Sequence, residues 1–226
     1  MRILHSVAAP ASTVQTLDRG LRLLELLADA PDGLPVAQLA AALGVHRAIV
    51  YRLLATLAAH RLVHRGADGR YRLGTGLVRL ARGVSPRLQA AALPELGRLA
   101  EDVGATATLT VADGEEAVAL AAVEPRNTLI HVAYRPGLRH PLEVGAPGRA
   151  ILLGRPAAPG DPPAVARARR RGYAVSRGEI QPGASGLAAP VPGADASVGV
   201  VSLVDLGEEV AARVVAAAEA IGAALA

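Results

Sequence analysis

Apolar side chains recur at intervals of three and four from residue 13 onward. Val14, Leu17, Leu21 and Leu24, with Leu23, Leu26 and Leu27 beside them, predict one amphipathic helix over 13–30, with Asp18, Arg19, Arg22 and Glu25 as its polar positions. Pro31-Asp32-Gly33 ends it. A shorter helix follows over Val36–Leu43, with Val36, Leu39, Ala40 and Leu43 inward. Pro35 suits its first turn and Gly44 its end. The third helix spans 46–61, with Ile49 or Val50, Leu53, Leu54 and Leu57 inward. The period then changes to two. Residues 62–65 and 70–73 flank Gly66-Ala67-Asp68-Gly69 and predict a hairpin. A short helix, a glycine turn, a longer helix and a hairpin make a winged helix-turn-helix.

The remaining chain reads as α+β. A linker helix is expected over 75–82 and a longer helix over 88–103. Strand-like runs follow at 105–111, 117–123 and 128–134, then helical segments at 148–153 and 163–171. Further strands are expected at 173–176, 185–191 and 197–204, and a closing amphipathic helix at 208–225. The organisation expected is a loose tail at 1–12, a winged helix-turn-helix domain at 13–74, a linker helix at 75–88 and a second domain at 89–226.

Composition narrows the class. The 226 residues hold 24 basic side chains, all arginine, against 20 acids, with no Cys, Trp or Phe and four Tyr. Without cysteine there is no disulfide framework and no thiolate metal site. At 51% apolar the chain is built to fold rather than to stay disordered. No apolar run approaches the roughly 18 residues of a membrane span, and none near the start forms a signal-peptide core, so a cytoplasmic protein is expected. Charge is divided unevenly. Residues 1–85 carry 11 arginines against 5 acids, net +6, and residues 86–226 carry 13 against 15, net −2. A basic first part is the mark of a polyanion binder.

That places candidate chemistry on the winged helix. Double-stranded DNA would meet Gln38 of the second helix and His46, Arg47, Tyr51, Arg52 and Thr56 of the third, with Arg65, Arg70 and Arg72 of the wing on phosphates or in a minor groove. Arginine reads guanine or phosphate with a planar fork, and Tyr and Thr hydroxyls bond phosphate. His60 and His64 have a ligand-like spacing but no companion cysteine, and no metal site is expected. The second part shows no nucleophile elbow, P-loop or dinucleotide fingerprint, so no catalytic residue and no cofactor are assigned. Gly145-Ala146-Pro147-Gly148-Arg149 is glycine-rich at a helix start, where backbone N–H groups with Arg149 could hold a carboxylate.

These segments resemble the IclR family of bacterial transcriptional regulators. The likeness runs through TVQTLDRGLRLLELLADAP, the recognition-helix run VYRLLATL and the wing GRYRLG. It continues in LPELGRLAEDVGATATLTVADGEEAVALAAVE, RPGLRHPLEVGAPGRAILLG and RRRGYAVSRGEIQPGASGLAAPV, covering about residues 13–225. The chain departs at Ala48-Ile49, where the family has Ser-Thr, at Pro35, at Gly186 and Pro192, and in a shortened 154–164 segment. The resemblance implies a GAF-like effector-binding domain, a homodimer or tetramer, and a pocket for a small organic, acidic effector. It carries the pocket over to Leu129, His131, His140, Ala146, Pro147, Ser176, Glu179, Gly186 and Ser202. Glu179 has an alternative partner in the arginines at 169–171. Two other readings stay open: a small-molecule-processing enzyme and a protein–protein adaptor, each with a winged helix that does not bind DNA.

Overall fold

The computed structural model describes residues 13–226 except 127, 129–131 and 133. The expectations for residues 1–12, for Leu129 and His131, and for most of the 128–134 strand lie outside the described residues. The chain divides between Val84 and Ser85 into two compact units.

The first unit holds α1 (Gln15–Ala28), α2 (Val36–Leu43), α3 (Arg47–Ala59), β1 (Val63–Arg65), β2 (Tyr71–Leu73) and α4 (Gly76–Ala81). Gly44, at φ 65°, supplies the left-handed turn that ends α2 and starts the approach to α3. Leu23, Leu27, Leu39, Leu43, Val50, Leu54 and Val63 form the core. Leu34 adds a third short edge to the wing, exchanging backbone hydrogen bonds with Tyr71 at 3.0 and 2.9 Å. One boundary and one burial pattern differ from the sequence reading. Helix α3 ends at Ala59 because Arg61 turns left-handed, φ 60°. In α1 the core takes Gly20, Leu23 and Leu27, while Val14, Leu17 and Leu21 lie 51–69% exposed. The single stripe expected from periodicity is two stripes, of which one points outward.

The second unit is a six-stranded antiparallel sheet in the order β5-β4-β3-β8-β7-β6. Its strands are β3 (Thr106–Asp113), β4 (Glu116–Val123), β5 (Arg139–Pro141), β6 (Ala174–Arg177), β7 (Ser185–Pro190) and β8 (Ala196–Ser202). Helices α5 (Pro86–Val103) and α8 (Glu208–Leu225) cover one face through Leu96, Leu99, Val214 and Ile221 against Leu109, Leu187, Val198 and Val200. Helices α6 (Gly145–Gly154) and α7 (Pro163–Arg171) cover the other through alanines 146, 150 and 168 against Ala174 and Ala188. Alternation along each strand sorts the two faces. Pro86 opens α5 at its first position, ahead of the start expected at 88, as its missing N–H allows. The shortened 154–164 segment is closed by Arg169, whose guanidinium donates to the carbonyls of Leu152, Leu153 and Arg155 and to Asp161 at 2.8–3.0 Å. That caps the end of α6 with a side chain. Among the described residues no single helix is long and apolar enough to cross a membrane.

Candidate nucleic-acid interface and ligand pocket

On α3 the core takes Val50, Leu53 and Leu54, which leaves Arg47, Ala48, Tyr51, Arg52, Ala55 and Thr56 on the outward side. His46 caps the helix with an exposed ring and no side-chain cap bond, and Gln38 is exposed on α2. Thr56 is committed locally, since its hydroxyl donates to Arg52 O at 3.1 Å. Ile49 is half-buried against the core, so of the Ala48-Ile49 pair only Ala48 presents its methyl outward.

The wing differs from expectation in what its arginines do. Arg65 is exposed, 6.0 Å above the Tyr71 ring centroid. Arg70 is half-buried and donates to Gly33 O at 2.9 Å. Arg72 forks onto Asp68 at 3.1 and 2.6 Å. The Arg72 hydrogen bonds, with the Arg70 backbone N–H, hold the Asp68 carboxyl well below the usual carboxylate range. Of the three wing guanidiniums, only Arg65 is both exposed and free of a carboxylate partner. Asp68→Asn removes the charge that neutralises Arg72. If the wing lies on phosphates, the variant's affinity falls more steeply with salt, by about one unit in the log–log slope. An unchanged slope in a salt titration would place Arg72 away from the backbone.

In the second unit the candidate residues converge on the start of α6, on its sheet-facing side. Gly145 stands at φ 77°, and a Cβ there would lie 2.3 Å from Ile180 Cδ1. Position 145 therefore takes glycine on two counts, conformation and space. Gly145 N–H donates to Glu179 Oε2 at 3.1 Å and Ala146 N–H to Ser176 Oγ at 2.9 Å. Arg149 closes on Glu179 with two bonds, 2.8 and 2.6 Å, and on Glu143 O at 3.0 Å. So Glu179 pairs with Arg149, not with the arginines at 169–171. Gly186 on β7 lies opposite, where a Cβ would meet Ser176 Oγ at 2.9 Å.

Behind these groups is an inner cavity of about 30 Å³, room for a water or two. Pro147, Ser176, Glu179 and Gly186 line it, together with Thr108, Tyr134, Ile180 and Gln181. An outer cleft of about 720 Å³ adjoins it, lined by Arg149, Arg167, Arg171, Arg177 and Tyr173, and again by Ser176, Glu179 and Gly186. The Tyr134 hydroxyl is buried with no partner among the described residues, and burial pushes its pKa up to about 12.

Three candidates fall elsewhere. His140 is a buried β5 residue whose Nδ1 lies 3.0 Å from Pro141 O, and it lines neither cavity. Burial pushes its pKa down. Gly148 is a packing residue, because a Cβ there would meet Leu142 O at 2.4 Å. Ser202 accepts Val204 N–H at 3.1 Å and shapes the turn after β8. The residues that sequence reading missed carry one legible signal. Threonine alternates at 106, 108 and 110 with apolar Ala107, Leu109 and Val111, and all three side chains are buried on the sheet face opposite the one that Ala107 and Leu109 turn to α5 and α8.

A winged helix-turn-helix unit followed by an α+β unit with an internal pocket defines a class of two-domain helix-turn-helix proteins. The IclR helix-turn-helix domain model matches residues 16–67. The HTH-type transcriptional regulator Rv1719 of Mycobacterium tuberculosis is 33% identical over 144 residues, 63% of this chain and 55% of that protein. The match thus spans about half the length of that relative. The crystal structure of an IclR transcriptional regulator from Alicyclobacillus acidocaldarius superposes with a TM-score of 0.78 at 26% identity, covering 95% of this chain and all of that one. An IclR homologue from Microbacterium hydrocarbonoxydans, solved with 4-hydroxybenzoate, has the same fold at TM-score 0.78 and 24% identity, covering 93% and 98% of the two chains. Residues 16–67 belong to the IclR helix-turn-helix domain family, and the curated regulators and solved structures support the same family for the chain.

Proposed function

We propose that this protein is a dimeric transcriptional regulator. In this reading α3 enters the major groove of an operator, and a small organic acid bound beside α6 sets operator affinity. The observation that carries the DNA half is the outward row of α3. Arg47, Tyr51 and Arg52 share one exposed side opposite the core, within a segment of net +6. One such helix reads only a few base pairs, so two copies are needed for a specific site. The exposed Leu17 and Leu21 of α1, with Val14 just before it, supply an apolar face for the second copy, and Val78, Leu80 and Val84 are also exposed.

The effector half rests on the pocket. Apolar walls, a helix N-terminus, Arg149 and an unpartnered Tyr134 hydroxyl suit a small acid with a second polar group. The 4-hydroxybenzoate of the Microbacterium homologue is an organic acid and supports that class. Coupling requires the ligand to bind one arrangement of the two units more tightly than another, with residues 75–88 as the connecting lever. The protein then works in the cytoplasm, with operator DNA, the effector and its own second copy as partners. A retardation assay with the DNA flanking the gene tests the reading, with and without a panel of carboxylic acids. Retention that a single acid abolishes or strengthens supports it; turnover of a metabolite without DNA retention would favour an enzyme.

A further inference from the structure

The anion-binding groups at the start of α6 are already occupied, and the occupant is a side chain of the same chain. Gly145 N–H and the Arg149 fork place three hydrogen bonds on the Glu179 carboxylate, at 3.1, 2.8 and 2.6 Å. A helix start plus a guanidinium fork is how proteins hold a free carboxylate. Burial by itself raises the Glu179 pKa; the Arg149 bonds and the Gly145 N–H outweigh it and keep the group below the usual carboxylate range.

The surroundings are those of a latch. Glu179 sits in the loop between β6 and β7, bracketed by Gly178 at φ 67° and Gly183 at φ 79°. The same loop seats Ile180 against Gly145 and supplies Ile180 and Gln181 to the inner cavity. Ser176, Glu179 and Gly186 line both the inner cavity and the outer cleft, so they form the partition between them. On the inner side the Tyr134 hydroxyl is more than nine-tenths buried, lines the cavity and has no partner among the described residues. At about 30 Å³ the closed cavity admits no organic acid, yet its wall carries an unmet hydrogen-bonding group.

We propose that Glu179 is a resident carboxylate that an effector carboxylate displaces. The ligand takes over Gly145 N–H and Arg149. Glu179 moves with its loop toward the outer cleft, where Arg167 and Arg171 have no ion-pair partner among the described residues. The opened cavity receives the ligand's body, and its second polar group, a hydroxyl or carbonyl, meets Tyr134. The proposal rests on the effector reading of this pocket and adds its regulation. Because the latch competes, apparent affinity is lowered by the fraction of molecules that hold it shut.

The test needs neither DNA nor the effector. Glu179→Ala vacates the anion site, and acetate is the probe that refills it. Tens of millimolar acetate should raise the melting temperature of Glu179→Ala by about 2–4 °C beyond chloride at equal ionic strength. Wild type and the Glu179→Ala/Arg149→Ala double variant should show no such difference, and acetate should slow amide exchange at 145–149 in Glu179→Ala alone. An acetate effect no larger than chloride's, or equal in wild type and variant, overturns the latch. Should Glu179→Ala not fold, Glu179→Gln keeps the shape and weakens the bonds. Faster exchange at 145–149 than in wild type supports the latch, and unchanged exchange overturns it. If acetate rescue succeeds while no carboxylic acid alters DNA binding, the effector reading fails and the latch stands.

Discussion

Arg52→Ala lowers operator affinity about 10- to 100-fold and leaves the fold and melting temperature unchanged. The side chain is exposed on α3 and forms no ion pair among the described residues. It lies on the side opposite Val50, Leu53 and Leu54, which carry the core. A guanidinium forked onto guanine or phosphate contributes roughly 1–3 kcal/mol to discrimination or binding, which sets the factor. Fluorescence anisotropy on labelled operator reads the affinity, and circular dichroism reads the fold. The two roles separate by sequence dependence. A base contact relaxes specificity at one position, whereas a phosphate contact weakens every sequence alike and reduces the salt slope by about one. Unchanged affinity would remove α3 from the interface.

In the proposed dimer, replacing Leu17 and Leu21 together with glutamate should separate the two copies and cost more than about 100-fold in operator affinity. Both leucines are more than half exposed in one protomer, so the core of the first unit loses nothing. Four charges per dimer then meet at the apolar face, and desolvating them opposes association. Two linked half-site contacts gain about 10²–10⁴ over either alone, and a monomer forfeits that gain. Sedimentation velocity reads the oligomer, and a single half-site duplex supplies the control, since its affinity should barely change. A dimer that survives both substitutions would assign the second copy to another surface.

The α1 result shows where periodicity stops. Spacing of three and four marks an apolar face but not what covers it. Leu23 and Leu27 are buried by the fold while Leu17 and Leu21, equally periodic, are left outside. The helix-turn-helix was legible because its punctuation is local: Pro35 opens α2, Gly44 closes it, and the period changes at Val63. The wing arginines were legible as positions but not as partners. Whether Arg72 faces a phosphate or Asp68 depends on the hairpin bringing position 68 back beside 72. The pocket was half legible. Pro147, Ser176, Glu179 and Gly186 were found through motif likeness, and they do share a wall. Thr108 and Tyr134 were not found, because the fold brings them there from distant parts of the sequence. Arg149 was expected to await a ligand, and its true partner lies 30 residues away in a loop.

In the proposed regulator, α3 of a basic winged helix reads a specific operator. The direct measurement is the affinity of the full chain for the DNA flanking its own gene, followed against salt and against an unrelated duplex of equal length. At least about 10³-fold preference for one flanking segment is expected, with a steep linear fall of log affinity with log salt. Equal, weak binding to both duplexes, or affinity indifferent to salt, would contradict it.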